Sequence, residues 1–101
     1  LVLDNTVVEA NEGAVGGAYL SNTKLECHGS SKTRSGFLKN TSTGIFNVGA
    51  VFLEPGSELV SQACDWGDEG STEDNTPVDL STTSTNYGDD ASFVETAEAA
   101  L

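Results

Sequence analysis

Residues 15–30 read VGGAYLSNTKLECHGS, and residues 48–64 read VGAVFLEPGSELVSQAC. In both, glycine precedes a short apolar run with an aromatic at its centre, Ala18-Tyr19-Leu20 or Val51-Phe52-Leu53; a polar turn follows, and a second apolar run ends in cysteine. The second stretch is a degraded copy of the first. Upstream, VVEAN at residues 7–11 matches GFLKN at residues 36–40, each run closing on an asparagine. The offset grows from 29 residues (Asn11 to Asn40) to 33 (Leu20 to Leu53) and 37 (Cys27 to Cys64). Runs kept in order while turns lengthen between them are the mark of stacked repeats.

The rest of the chain reads as β. No i, i+3, i+4 apolar spacing is sustained before the last residues, and short apolar runs alternate with turn clusters such as Asn11-Glu12-Gly13 and Glu54-Pro55-Gly56. The repeat predicts an all-β fold, a right-handed parallel β-helix (solenoid) of about three coils, with equivalent residues one strand spacing apart, about 4.8 Å. Glycine before Ala18-Tyr19-Leu20 is expected to give a bend with positive φ and a close approach of backbones. Tyr19, Phe37, Phe46, Phe52 and Phe93 are expected to stack in the core. Asn11 and Asn40 are expected to begin an asparagine ladder.

Composition narrows the partners. Sixteen acidic residues against four basic ones give a formal charge of -12, which repels phosphate backbones and anionic lipid heads and argues against nucleic acid. No apolar run approaches the roughly 20 residues of a membrane-spanning helix, and the first ten residues lack a signal-peptide pattern. The chain reads as soluble, either a mature form or a piece of something longer. Few Lys and Arg with abundant Ser, Thr, Asn and Gly suit an extracellular or cell-surface location. Cys27 and Cys64 lack CxxC spacing and fit one disulfide or two buried thiols. The repeat register puts them at corresponding points of successive copies, so a bridge is expected.

Where TVVEAN, GGAYLSNTKLEC, GFLKN and CDWGDEGSTEDNTPVDL line up, the sequence resembles the right-handed β-helix repeat proteins of bacterial surfaces, including the polymorphic outer-membrane-protein type with its GGA-aromatic motif. The resemblance spans roughly residues 3–80 and implies a non-catalytic structural or adhesive element. Family members carry many coils. The organisation expected here is β-helix coils over residues 1–64, then an acidic loop, a last strand and a C-terminal cap or tail over residues 65–101.

Beyond Cys64 the chain turns acidic and Ser/Thr-rich. Asp65, Asp68, Glu69 and Asp74 form a candidate oxygen-ligand set for calcium, joined by Glu73 and Asp79, though without EF-hand spacing. The competing reading is a solvated cover over the open end of the stack. Trp66 is either a plug over that end or a platform for a surface glycan. His28-Gly29 and Gly88-Asp89-Asp90 match two scraps of polygalacturonases. Their order is reversed and the companion motifs are missing, so no catalytic residues and no enzymatic activity are expected. Asn40-Thr41-Ser42 is a glycosylation sequon.

The resulting expectation is a secreted, disulfide-bridged structural or adhesive element without a required cofactor. Its strand-like start at Leu1-Val2-Leu3 would dock on upstream coils of a longer chain or on another copy, end to end, giving a filament. The alternative is a calcium-dependent carbohydrate-binding module.

Overall fold

The structure, a computed structural model, describes residues 1–30, 32, 34–81, 87–88 and 91–97. The Asp89-Asp90 scrap and most of the C-terminal tail lie outside these residues. Among the described residues there are ten short strands: β1 (Val2–Asp4), β2 (Val7–Glu9), β3 (Glu12–Gly13), β4 (Ala18–Leu20), β5 (Lys24–His28), β6 (Gly36–Leu38), β7 (Thr41–Ser42), β8 (Val51–Leu53), β9 (Glu58–Cys64) and β10 (Ala91–Thr96). They form one mixed sheet in the order β1-β5-β9-β10 and three two-stranded parallel sheets, β2-β6, β3-β7 and β4-β8.

This corrects the fold expectation: the chain is all-β, but it is a set of small sheets and not a right-handed parallel β-helix solenoid of about three coils. The matched segments do pair, with Val7 opposite Gly36 and Tyr19 opposite Phe52. A third copy is where the expectation fails. Residues 65–80 form no strand with the second copy among the described residues: they meet it through the isolated bridges Gly36 to Asp65, Thr41 to Thr76 and Val51 to Leu80, through scattered backbone hydrogen bonds and through the Asn75 and Trp66 side chains. That segment is acidic and carries few apolar residues, so it has little to bury on a further strand. The last strand, β10, then returns antiparallel to β9.

The glycine pair earns its place through crowding. A Cβ on Gly16 would lie 2.3 Å from the Gly49 carbonyl oxygen, and one on Gly17 would lie 2.4 Å from that of Ala50. Neither glycine has positive φ; the left-handed bends fall on Ala10 (φ 57°) and Lys39 (φ 59°), one before each matched asparagine. These bends turn the backbone inward, and asparagines meet the polar groups they bury. Asn40 Nδ2 donates to the Val8 carbonyl (2.9 Å) and to Asn75 Oδ1 (3.0 Å), while Asn40 Oδ1 accepts from Asn11 Nδ2 (3.0 Å) and from the Asn11 backbone N–H (3.0 Å). Asn75 Nδ2 repeats the device on the Phe37 carbonyl (2.6 Å). The expected Asn11–Asn40 ladder therefore forms and runs one step further. Asn40 is fully buried, so its sequon is inaccessible in the folded chain.

The core is built from Leu25, Leu59, Phe37, Val51, Leu80 and Trp66, with the Cys27–Cys64 disulfide among them. Cys27 sits opposite Ser61, not Cys64. A register shift against β10 and positive φ at Ala63 (54°) mark a bulge in β9, and this extra residue turns Cys64 inward, 6.2 Å from Cys27 between Cα atoms. Closing a loop of this length (separation 37) restricts the unfolded chain by about 4 kcal/mol in the chain-entropy model.

Asn40→Ala would remove the buried bond to Asn75 Oδ1 and leave the partly buried Val8 carbonyl and Asn11 N–H without their partner. Each such group costs roughly 1–3 kcal/mol, so the variant is expected to lose about 2–4 kcal/mol in urea unfolding. Unchanged stability would mean that the ladder is not structural.

Candidate functional site

Strands β4 and β8 pair in register, Ala18 with Val51, Tyr19 with Phe52 and Leu20 with Leu53. Alternation sends Leu20 and Leu53 into the core and their middle neighbours outward. Tyr19 and Phe52 therefore stack, with ring centroids 5.1 Å apart and planes 3° from parallel. Phe46, from the turn after β7, meets both edge-on, at 5.9 Å and 70° from Tyr19 and at 4.9 Å and 67° from Phe52. Tyr19 is 46 % exposed, Phe46 39 % and the adjoining Ile45 94 %. Three of the five expected core aromatics thus make an outward face, and Phe37 alone of the five is fully buried. The signal was legible in the pairing of Leu20 with Leu53, because a residue flanked by inward positions on a strand points out.

A carboxylate completes this face. The Tyr19 hydroxyl donates to Glu54 Oε1, and the Ser21 hydroxyl donates to the same side chain. The bond from Tyr19 holds the Glu54 carboxyl below its ordinary range, and the bond to Glu54 raises the Tyr19 phenol. Glu54 is accordingly an anion beside an electron-rich ring.

The sequence-derived candidates lie elsewhere and do not converge. Asp65 Oδ2 accepts from Arg34 Nε (2.7 Å), and Arg34 Nη2 also reaches Glu73 Oε2 (2.8 Å), which lashes the acidic segment to the body. Asp68 and Glu69 are exposed, while Asp74 Oδ2 accepts from the Gly70 N–H (3.0 Å). Among the described residues no three His, Cys, Asp or Glu side chains group as a metal site. Trp66 is fully buried, stacked on Phe37 at 4.9 Å and 17°, and its Nε1 donates to Ser61 Oγ (3.0 Å). The ring is enclosed by the fold, with Phe93 and Tyr87 also packed near it. His28 Nδ1 lies 2.9 Å from Gln62 Oε1, its neighbour across β5 and β9.

The chain matches no protein-family model, no curated protein and no solved structure. The resemblance to surface repeat proteins therefore rests on the sequence motifs alone.

One buried acid stands out. Asp79 is fully buried, accepting from Asn75 Nδ2 (3.0 Å) and the Tyr87 N–H (2.5 Å). Burial pushes its carboxyl up to about 7; those two hydrogen bonds oppose the rise, and the charges of Asp74 and Glu69 add to it. A native-state value above the unfolded one means that the folded chain holds the proton more tightly. The stabilising contribution is complete below the unfolded value, about 4, and is lost as pH rises through about 7. Stability measured by urea unfolding is expected to fall between pH 5 and 7.5, by at most about 1.4 kcal/mol per pH unit from this group. Asp79→Asn should flatten that slope. An unaltered slope in the variant would assign the pH dependence to other groups.

Proposed function

We propose that the protein is a non-catalytic adhesive element of an extracellular surface, with Tyr19, Phe46 and Phe52 as its contact face. The observation that carries this reading is the contiguous aromatic patch on paired strands, half open to solvent. Isolated exposed apolar residues need no explanation, but a cluster of rings beside an almost fully exposed isoleucine marks a place of contact. The patch stands on a scaffold cross-linked by the Cys27–Cys64 disulfide, a bond that persists in oxidising surroundings. Rings held rigidly by in-register strands lose little freedom on binding, which favours a surface built to stick.

Retention on washed cellulose, chitin and polylysine-coated beads tests this. The wild type is expected to be held by at least one of them. The Tyr19→Ala/Phe46→Ala double variant should be held at least tenfold less, on the order of 1–2 kcal/mol for lost aromatic anchors. The near-ultraviolet signal of buried Trp66 reports that the variant is folded. Equal retention of the variant, or no retention of the wild type on any bead, would overturn the assignment of the face.

A second reading is favoured by a separate observation. Strand β1 is an edge of the mixed sheet, with Leu1 75 % and Val2 55 % exposed. Edge strands present unpaired backbone groups to another chain, so β1 is suited to docking on a further segment or a second copy. The -12 charge opposes copies meeting at low ionic strength, so assembly would strengthen with salt. Light scattering should show mass growing with concentration and salt, and Val2→Lys should suppress it; a wild type that stays monomeric throughout would exclude end-to-end assembly.

A further inference from the structure

We propose that the aromatic face takes a cationic ligand: the guanidinium or ammonium of an arginine or lysine on a partner protein, seated over the outer face of the Tyr19 ring beside Glu54. This rests on the adhesive reading above and names the chemistry of its partner.

The ring is prepared for a cation on one side only. Phe52 covers one face of Tyr19 in near-parallel stacking, and Phe46 approaches from the side at 70°. Strand β4 has β8 as its single neighbour in its sheet, so among the described residues no further ring lies against the other face. A cation within about 6 Å of a ring centroid is attracted by the negative potential over the ring. Donation of the phenolic O–H to the Glu54 carboxylate pushes electron density into the ring and deepens that potential. The carboxylate itself is the counter-charge, held in place by Tyr19 and Ser21.

Charge across the rest of the molecule selects the same partner. Lys24 pairs with Glu58 (3.9 Å), Lys39 with Glu9 (3.5 Å), and Arg34 with Asp65 and Glu73. Three of the four basic side chains are thus engaged within the chain, and the surplus of acids sets the sign of its field. A sulfated or carboxylated polymer would be repelled. A neutral sugar would stack on Tyr19 but leave the charge of Glu54 unanswered. Phe46 adds apolar surface next to the ring, where the methylene stem of an arginine or lysine can lie while its head reaches Glu54.

The test titrates the full chain with a hexapeptide of alternating glycine and arginine at physiological salt, with the glycine–glutamate hexapeptide and cellohexaose as comparisons, following Tyr19 and Phe46 ring protons by nuclear magnetic resonance. Saturable shifts at these rings with the arginine peptide alone are expected. Tyr19→Leu should weaken binding roughly threefold to thirtyfold, as for a cation–π contact. Glu54→Gln, which keeps an acceptor for the phenol but removes the charge, should weaken it severalfold and reduce its salt dependence. Glu69→Gln removes an equal charge from the acidic segment and should leave affinity unchanged. If Glu69→Gln costs as much as Glu54→Gln, or Tyr19→Leu costs nothing, the peptide is bound by general acidity and the proposal is wrong. Shifts with cellohexaose but not with the arginine peptide would also overturn it, while leaving the adhesive face standing. No shifts with any ligand, together with no retention on beads, would remove both.

Discussion

The buried asparagine ladder is the interaction on which the other parts depend. The chain bends at Ala10 and Lys39, and the turns that follow set partly buried carbonyls and N–H groups around the fully buried side chains of Asn40 and Asn75. Those groups have to be answered from within, because an unmet one costs about as much as a lost hydrogen bond or more. Asn11, Asn40 and Asn75 are joined in sequence by side-chain bonds, and Asn40 and Asn75 each also donate to a carbonyl of a preceding strand, Val8 and Phe37. A slip of one residue in β6 against β2 would leave Asn40 out of reach of both partners. The ladder thus sets register as well as satisfying the bends.

Register then propagates. With β2 and β6 fixed, the glycines at 16, 17 and 49 let the next segments pass at contact distance, and β4 comes to lie on β8 with Tyr19 over Phe52. The following strands, β5 and β9, carry the disulfide, which covalently holds the alignment that the ladder began. The aromatic face is a consequence of this chain of constraints. Rings on three-residue strands would wander if those strands were not positioned from both sides.

Much of this was legible in the repeat. VVEAN against GFLKN and GGAYL against GAVFL are realised as the pairs of β2 with β6 and β4 with β8, and the Asn11–Asn40 contact follows from them. What escaped was of three kinds. The bulge at Ala63 adds a residue that no apolar pattern records, so Cys64 aligns with Cys27 in sequence but not in the ladder of pairs. Asn75 follows an acidic, irregular stretch with no apolar run before it, which hid its kinship with Asn40. The outward turn of Tyr19 and Phe52 is carried only by the inward Leu20 and Leu53 beside them, since strands of three residues give too short an alternation to show a face on their own. The same shortness let a two-copy pairing pass for a longer solenoid.

The molecule uses one device twice with opposite results. Phe37 and Trp66 stack at 4.9 Å and 17° and are fully buried, with Ser61 linking the indole N–H to the Ala91 carbonyl. Tyr19 and Phe52 stack at 5.1 Å and 3°, yet their side of the sheet is left open. The inner pair is explained by folding: burial of apolar surface stabilises by roughly 25 cal/mol per Å², and the indole finds its partner. The outer pair gains only part of that, and Ile45 beside it gains almost nothing from the fold. A scaffold selected for stability and solubility alone would do as well with polar side chains at 45 and 46, in a chain rich in carboxylates. Folding thus accounts for the inner stack, whereas the apolar character of the outer face and the carboxylate held against its tyrosine are the features on which the proposed contact rests.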